Sequence, residues 1–204
     1  MKGVLTILAT LAAAVTTMST PLPLAAQTII EEWSTVTAPP PPEIKAVTVD
    51  TKSTALLLLD FGKQNCGKRP RCLASLPKMQ KMATEARAKN TFVVHGLFGK
   101  ATREDLLIVP LDDEPAVRSD ANKFIRTDLE KILKEKGIAT VIVTGTAAHG
   151  AVLNTAAAAA LLGFKVILPV DGMSADPYSE QYTAWHLANG PGGIGPNVTV
   201  TKIE

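Results

Sequence analysis

Runs of consecutive apolar residues recur in the last three quarters of the chain. They begin at Thr54, Thr91, Ile138 and Lys165 and read TALLLLD, TFVVH, IATVIVTG and KVILPVD. A strand with one exposed face alternates apolar and polar residues, whereas a strand that is buried on both faces shows an unbroken apolar run. The pattern therefore predicts a parallel sheet that is covered on both faces.

Segments with helical spacing of apolar residues separate these runs. The segments cover residues 73–89, 127–136, 151–162 and 179–189. TDLE at 127–130 is a capping-box sequence that predicts a helix start, and Gly137 and Gly163 stand where helices are expected to end. Strands that alternate with helices predict the α/β class, here a three-layer α/β/α sandwich with a mainly parallel sheet and right-handed crossovers.

The N-terminal residues have the order of a secretory signal. Lys2 precedes an apolar run at 4–15, which is followed by Pro21 and by small residues up to Ala26. The run is short for a helix that spans a bilayer, so a cleaved signal peptide at 1–26 fits better than a membrane anchor. The chain is therefore predicted to be exported, periplasmic or secreted, with no membrane attachment after cleavage.

The rest of the chain divides into a lead-in and one domain. Residues 27–51 contain PPPP at 39–42 and no apolar period, which is typical of a flexible, extended segment. Residues 52–204 are apolar enough to bury a single core. The formal net charge is +2 and no basic run is interleaved with aromatics, so we expect a small-molecule ligand and no nucleic acid.

The chain has two cysteines, Cys66 and Cys72, and export makes oxidation their default state. We therefore expect a disulfide between them. In a second interpretation one thiol is a catalytic nucleophile, because the three cations between the cysteines would lower its pKa. No metal site is expected, since the thiols and the three histidines of the chain show no ligand spacing.

In a parallel α/β fold, ligands bind beyond the carboxyl ends of the strands. This rule selects as candidate site positions Asp60, His95, residues 145–151 and Asp171. Asp60 ends a strand of four leucines, where burial would raise its pKa and suit the carboxyl to proton transfer near neutral pH. The alternative is an aspartate that only caps a turn.

Further candidates lie in the turn GTAAHG at 145–150 and before the helix at 127–136. The turn would aim backbone amides at an anion or a developing oxyanion. His149 in this turn could donate a hydrogen bond to substrate, or it could be a buried structural histidine. Arg118 and Lys123 could hold a substrate carboxylate, although cations of this kind are commonly solvated.

The order of these parts resembles the isochorismatase-like hydrolases, also called the cysteine hydrolase superfamily. The resemblance covers about residues 54–171. It rests on LLLLD at 56–60, KFIRTDLEKILKEKGIATVIVTG at 123–145 and AAHGAVLNTAAAAALLGFKVILPVD at 147–171. It implies a catalytic triad of Asp, Lys and Cys, a non-proline cis peptide bond in the turn and an oxyanion hole of backbone amides. The sequence itself has no phosphate-binding glycine loop and no metal-ligand cluster, so no cofactor is expected.

Laid onto this chain, the family Asp matches Asp60, the Lys falls on Arg118, and the Cys falls on Ala151. Two of the three triad positions have thus changed chemical type, and a guanidinium does not give up its proton as a lysine can. The cis bond would join Thr146 and Ala147. The expected substrate contacts are Thr146, Ala147, His149 and Lys123.

Ala151 has no nucleophile to offer, and loss of a nucleophile from a covalent mechanism costs around a million-fold in rate. The isochorismatases proper need no thiol, because they protonate the enol carbon of a vinyl ether, after which water captures the cation and pyruvate departs. A small residue stands at their Cys position, and Ala148 and His149 resemble the Ala-His pair of their turn. The first hypothesis is therefore an exported hydrolase in which Asp60 is the general acid, while Arg118 binds a substrate carboxylate or orients Asp60.

Two other hypotheses stay open. An exported protein would not normally meet isochorismate, an intracellular intermediate, so the second hypothesis is a catalytically silent binding module for a small anionic or aromatic ligand. The third is an amidase-type hydrolase that uses Cys66 as a displaced nucleophile. Association into homo-oligomers is compatible with a family of this kind.

Overall fold

The computed structural model describes residues 28–203. These residues fall in two units that divide between Ala38 and Pro39. The first unit contains a short exposed helix, α1, Ile29–Glu32. The predicted signal peptide at 1–26 lies outside the described residues. In the part of the chain that the structure describes, no helix is long and apolar enough to cross a membrane.

The second unit is an α/β domain in which each predicted run and helical segment has its element. The strands are β1 Thr54–Leu59, β2 Phe92–Leu97, β3 Ala116–Arg118, β4 Thr140–Thr146, β5 Lys165–Pro169, β6 Met173–Ser174 and β7 Val198–Thr201. The helices are α2 Pro70–Ala88, α3 Leu129–Glu135, α4 Leu153–Leu161 and α5 Pro177–Asn189. The short strands β3, β6 and β7 were not predicted.

The strands form one sheet in the order β3, β2, β1, β4, β5, β7, and β6 pairs with β4. Every strand pair is parallel. β1 is central, since Ala55 is in register with Phe92 on one side and with Val141 on the other. The prediction of a mainly parallel sheet is confirmed.

Two apolar cores cover the two faces of the sheet. Alternate residues of β1 divide between them, so that Leu57 and Leu59 belong to the core under α3, α4 and α5. Leu56 and Leu58 belong to the other core, where Met79 of α2 packs. All four leucines are fully buried, as their unbroken run predicts. The three-layer α/β/α arrangement is therefore confirmed.

Two predicted helix ends are confirmed, and one predicted helix start is wrong. Gly137 and Gly163 have φ angles of 69° and 91°, which is the left-handed conformation expected of a glycine after a helix. The capping box at 127–130 is wrong, because Thr127 Oγ1 accepts the N–H of Leu129 at 3.2 Å and α3 starts one residue later than the box requires. The threonine stabilises the helix start in a different register.

The lead-in is more structured than the sequence indicates. In the first unit, the Thr28 N–H donates to the Glu31 carboxylate at 2.6 Å and stabilises the single turn of α1. In the second unit, the Lys45 N–H donates to the Val200 carbonyl at 2.9 Å. The second contact places this part of the lead-in along the edge strand β7.

Candidate active site

Asp60 follows β1 directly, at the carboxyl edge of the sheet. Its φ is 60°, a left-handed conformation that aspartate tolerates better than most residues. Its N–H donates to the Gly96 carbonyl of the neighbouring β2 at 3.2 Å, and its side chain is buried. The end of β1 thus directs a carboxyl group into the interior at the edge where ligands bind in such sheets.

Lys123 is the cation beside Asp60. Its side chain is fully buried, and its Nζ lies 2.8 Å from Asp60 Oδ1. Its hydrogen bonds, however, go to the carbonyls of Leu97, Ser119 and Asp120, at 3.2, 2.8 and 2.8 Å. An ammonium has three protons, so among the described residues Asp60 Oδ1 has no well-aligned donor. The two side chains thus form a close, buried ion pair.

Burial raises the pKa of Asp60 to about 6, from an ordinary value of 3.8. The charge of Lys123 opposes this rise, and the more distant charge of Arg69 opposes it further. Desolvation outweighs both because the buried carboxylate loses its water and gains little hydrogen bonding in exchange. A carboxyl group with this pKa can hold a proton in mildly acidic solution and release it near neutrality.

Arg118 is not the partner of Asp60, contrary to the expectation from the family resemblance. It ends β3, its side chain is exposed, and its Nη1 donates to the Gly99 carbonyl at 2.6 Å. In the sheet, β2 separates β3 from β1. The chain returns towards β1 only after Arg118, and the side chain that reaches the carboxylate is that of Lys123.

The turn after β4 has the backbone that the resemblance implies. The peptide bond between Thr146 and Ala147 is cis. A π-helical turn, Ala148–Val152, then leads into α4. Ala151 lies in this turn, is 4% exposed, and belongs to the apolar core. At the position onto which the resemblance lays the family's nucleophile, this chain therefore presents a buried methyl group.

The space beside Asp60 is small. The cavity that Asp60 lines together with Gln64, Asn65 and Phe98 has a volume of about 10 Å³, which is room for about one water. The Phe98 ring lies over Lys123, with Nζ 5.9 Å from its centroid. Phe98 thus forms part of the wall around Asp60 and Lys123.

The predicted substrate contacts lie in two different places. Thr146 is fully buried and its Oγ1 donates to the Ser174 carbonyl at 3.1 Å, while Ala147 is partly buried. His149 is exposed, so the alternative of a buried structural histidine is wrong. It lines a groove with Arg69 and Ser174, and not the cavity of Asp60.

Cys66 and Cys72 form the predicted disulfide. Both residues are fully buried and belong to the core that packs against α2. A disulfide sulfur is not a thiolate, so the hypothesis that Cys66 is a displaced nucleophile is wrong.

Two further candidate positions have structural partners instead. His95 is buried, with Nε2 2.8 Å from Glu114 Oε2, and burial lowers its pKa although Glu114 opposes the shift. Asp171 pairs with Lys78 at 2.6 Å and accepts the N–H of Ile203. Within residues 28–203, no three His, Cys, Asp or Glu side chains cluster as metal ligands would.

Sequence reasoning missed two residues that shape the site. A Cβ at Gly96 would stand 3.1 Å from Lys123 Cε and 3.2 Å from Asp60 Oδ1, so glycine gives the charge pair its room. A glycine at the end of the strand next to Asp60 was a usable signal. Asn65 donates through Nδ2 to the Thr146 carbonyl at 3.2 Å and holds the turn. The two residues are 81 positions apart, and nothing in the local sequence indicates the contact.

The chain is similar to known proteins in sequence and in fold. Residues 54–194, more than half of the chain, match the family model described as an isochorismatase domain. No curated protein sequence matches the chain.

Solved structures share the fold at low sequence identity. An isochorismatase-like hydrolase from Alkaliphilus metalliredigens is 24% identical with a TM-score of 0.65, over 74% of this chain and 87% of that one. The N-carbamoylsarcosine amidase from Thermoplasma acidophilum is 19% identical with a TM-score of 0.64, over 74% of this chain and 97% of that one. A nicotinamidase from Staphylococcus aureus is 19% identical with a TM-score of 0.59, over 68% of this chain and 96% of that one.

Proposed function

Because this chain belongs to the isochorismatase family, we propose that it is an exported hydrolase that acts on a small anionic molecule by acid catalysis, with Asp60 as the acid and no cysteine nucleophile. The observation that carries the proposal is the state of Asp60, whose carboxyl group is buried beside Lys123 and has its pKa raised to about 6. A general acid works best when its pKa lies near the operating pH.

The reaction class that suits this acid is hydrolysis of a vinyl ether. Asp60 gives its proton to the terminal enol carbon, and the electrons of the carbon–carbon double bond form the new C–H bond. The cation that results is shared with the ether oxygen, and water adds to its carbon. The water proton returns to Asp60 and leaves a neutral hemiketal. The hemiketal then breaks the C–O bond to its alkoxy group while its hydroxyl proton passes to the departing oxygen, which releases an alcohol and a keto acid.

In this scheme Lys123 takes the place that the family assigns to its lysine. Once Asp60 has given up its proton, the carboxylate lies 2.8 Å from the buried ammonium. The charge pair stabilises the carboxylate at the moment when it forms, which lowers the barrier to proton transfer. No step needs a side chain at Ala151, so the buried methyl group fits a reaction that passes through water and not through a thioester.

The second candidate function is a catalytically silent binding module for a small anionic or aromatic ligand. The observation that favours it is the small volume, about 10 Å³, of the described cavity that Asp60 lines. Export is proposed for both candidate functions, because it rests on the signal-like order of residues 1–26.

The experiment is a pyruvate-release assay with isochorismate as the probe and the purified chain from residue 27 onward as the enzyme. Asp60→Asn removes the proposed acid and keeps the shape of the side chain, so we expect turnover to fall at least a thousand-fold. Asp171→Asn is the matched control, because Asp171 also follows a strand at the carboxyl edge but pairs with Lys78. We expect this variant to retain full turnover.

Equal loss of activity in both variants would point to damage of the fold and contradict the role of Asp60. Turnover that survives in Asp60→Asn would assign the reaction to another group or to a contaminant. If the native chain releases no pyruvate but binds isochorismate reversibly, the binding module is the better description.

A further inference from the structure

Phe98 lies between the charged pair of the candidate site and solvent. It is 48% exposed, whereas Lys123 is fully buried and Asp60 is 3% exposed. Its ring centre lies 5.9 Å from Lys123 Nζ, and it lines the cavity of Asp60 together with Leu97 and Ala101. An apolar wall of this kind keeps water from a carboxyl group, and loss of water is what raises the pKa of Asp60.

The backbone of the surrounding turn fixes the position of Phe98, because the residue belongs to neither apolar core. The Phe98 carbonyl accepts the Ala101 N–H at 3.1 Å, and Gly99 has a φ of 58°. This left-handed glycine lets the chain turn sharply after the ring. On the other side of the ring, the Leu97 carbonyl accepts from Lys123 Nζ at 3.2 Å. The turn is thus anchored to the site where it begins.

Arg118 anchors the same turn beyond the ring. It is in register with Leu97 on the neighbouring strand, so its side chain starts beside the residue that precedes Phe98. Its Nη1 donates to the Gly99 carbonyl at 2.6 Å, a charge-assisted hydrogen bond. Within residues 28–203, no other side chain donates to the backbone of residues 98–100. Loss of the guanidinium would therefore leave the turn less firmly held on this side.

The charge of Arg118 does not explain the state of Asp60. The charged groups that act on this carboxyl group are Lys123 and Arg69, and both of them lower its pKa. An effect of Arg118 on the site must therefore pass through the turn that it holds. We propose that Arg118 is a positioning residue, which keeps Phe98 in place as the wall that excludes water from Asp60.

The relevance of this wall to a reaction rests on the proposed function, since Asp60 must hold a proton in order to act as the acid. The wall itself can be tested without substrate. The experiment follows the carboxyl carbon of Asp60 by NMR while the pH is varied, in the purified chain from residue 27 onward and in its variants.

Phe98→Ala removes the ring and admits water, so we expect the midpoint of the Asp60 titration to fall by about one pH unit. Arg118→Met keeps the length of the side chain but removes its donors, and it should lower the midpoint in the same direction. Arg118→Lys can still donate to the Gly99 carbonyl, so its midpoint should stay close to the native one. Both substituted side chains are exposed, and the fold should survive these changes.

The direction of the change separates positioning from charge. Loss of a cation by itself favours the protonated carboxyl group and raises the midpoint, whereas entry of water lowers it. Lys100→Met is the matched control, because Lys100 is an exposed cation of the same turn. It should leave the midpoint unchanged or raise it slightly.

A double variant shows whether Arg118 acts through Phe98. Once the ring is absent, Arg118 has no wall to position. Arg118→Met added to Phe98→Ala should therefore lower the midpoint no further than Phe98→Ala does alone. Two falls that simply add would show that the residues act independently, and would overturn the proposal.

Three other results would overturn it. These are a midpoint that is unchanged or raised in Arg118→Met, a midpoint that Phe98→Ala leaves in place, and an equal fall in Lys100→Met. None of these measurements depends on turnover, so this proposal and the proposed hydrolysis can fail separately. If the chain does release pyruvate from isochorismate, the loss of turnover with rising pH should move to lower pH in Arg118→Met by as much as the midpoint does.

Discussion

Asp60 lies beside the Lys123 ammonium, but its Oδ1 has no well-aligned hydrogen-bond donor among the described residues. The ammonium donates its hydrogen bonds to three backbone carbonyls. The carboxylate is therefore stabilised mainly by the nearby positive charge. In water the carboxylate would have several donors, so its ionised form is less favourable in the folded chain. This is the physical reason why the proton stays on Asp60 up to about pH 6.

This pKa predicts how stability depends on pH. The folded chain holds the Asp60 proton to about pH 6 and the unfolded chain releases it near 3.8, so between these values the folded state binds more protons and its free energy of unfolding falls as pH rises. A shift of about two units corresponds to about 3 kcal/mol. We expect the free energy of unfolding of the native chain, relative to Asp60→Asn, to fall by about that amount between pH 4 and pH 7 in urea titrations.

The Asn side chain does not titrate, so the difference between the two chains isolates this one carboxyl group. A difference that stays constant over the range, or that rises with pH, would contradict the raised pKa of Asp60.

At this scale the sequence predicted a buried carboxyl group at Asp60 and misassigned the cation beside it. Asp60 could be found because it ends an unbroken apolar run, which is a local signal. Arg118 and Lys123 are five positions apart, and the choice between them depends on how residues 119–123 fold back over the end of β2. The carbonyls of Leu97, Ser119 and Asp120 determine that path, and contacts between distant segments of this kind leave no mark in the local pattern.

Among the elements, β2 and the segment that follows it depend on one buried carboxylate. Glu114 accepts from Arg87 of α2 through both oxygens at 2.8 Å and contacts His95 of β2 at 2.8 Å. The Arg103 guanidinium donates to the Glu114 carbonyl. Desolvation would raise the pKa of Glu114, but the hydrogen bonds from Arg87, the Leu111 N–H and His95 hold it below its usual value. The network ties α2, β2 and the segment 103–114 together.

Glu114→Gln should therefore destabilise the fold markedly. It removes a buried negative charge and leaves Arg87 without its counter-ion, a loss that costs roughly 3 kcal/mol for a buried pair. Urea denaturation at pH 7 measures the effect, and Asp113→Asn at the exposed neighbouring position should stay within about 0.5 kcal/mol of the native chain. Similar small effects of both substitutions would show that the network contributes little.

The strands that the sequence predicted are the ones with unbroken apolar runs, such as β1 and β4. The strands β3, β6 and β7 have two to four residues each, too few to show any period, and the sheet recruits them through pairing with a neighbour. The π-helical turn Ala148–Val152 likewise escaped prediction, because alanine and valine fit an α-helix equally well. The local pattern of apolar residues is therefore enough to predict the long strands, whereas the short strands depend on pairing with a neighbour in the sheet.

For the molecule as a whole, the disulfide and the N-terminal sequence both favour export to an oxidising compartment. Cys66 and Cys72 are joined, and residues 1–26 have the order of a secretory signal. Disulfides persist mainly in oxidising compartments. The two features are independent, since one lies in the described domain and the other lies outside it.

We therefore predict that the chain is exported, that it loses residues 1–26, and that it carries one disulfide. Intact-mass analysis of protein recovered from the periplasm or medium should give the mass of a chain that begins near Gln27, lower by two hydrogens than the fully reduced form. Reduction should restore the two hydrogens and lower the free energy of unfolding by about 2 kcal/mol, the value expected for closing so short a loop. A full-length chain with free thiols would contradict the predicted export.

The three carbonyl bonds of Lys123 have a consequence for how such a site changes over evolutionary time. A lysine that holds Leu97, Ser119 and Asp120 in place is needed for folding whether or not a reaction takes place beside it. Drift that abolished the chemistry would therefore preserve Lys123. A side chain at position 151 has no comparable duty, since a methyl group fills its place in the core. A substitution at position 151 is thus easier for the fold to accommodate than a substitution of Lys123.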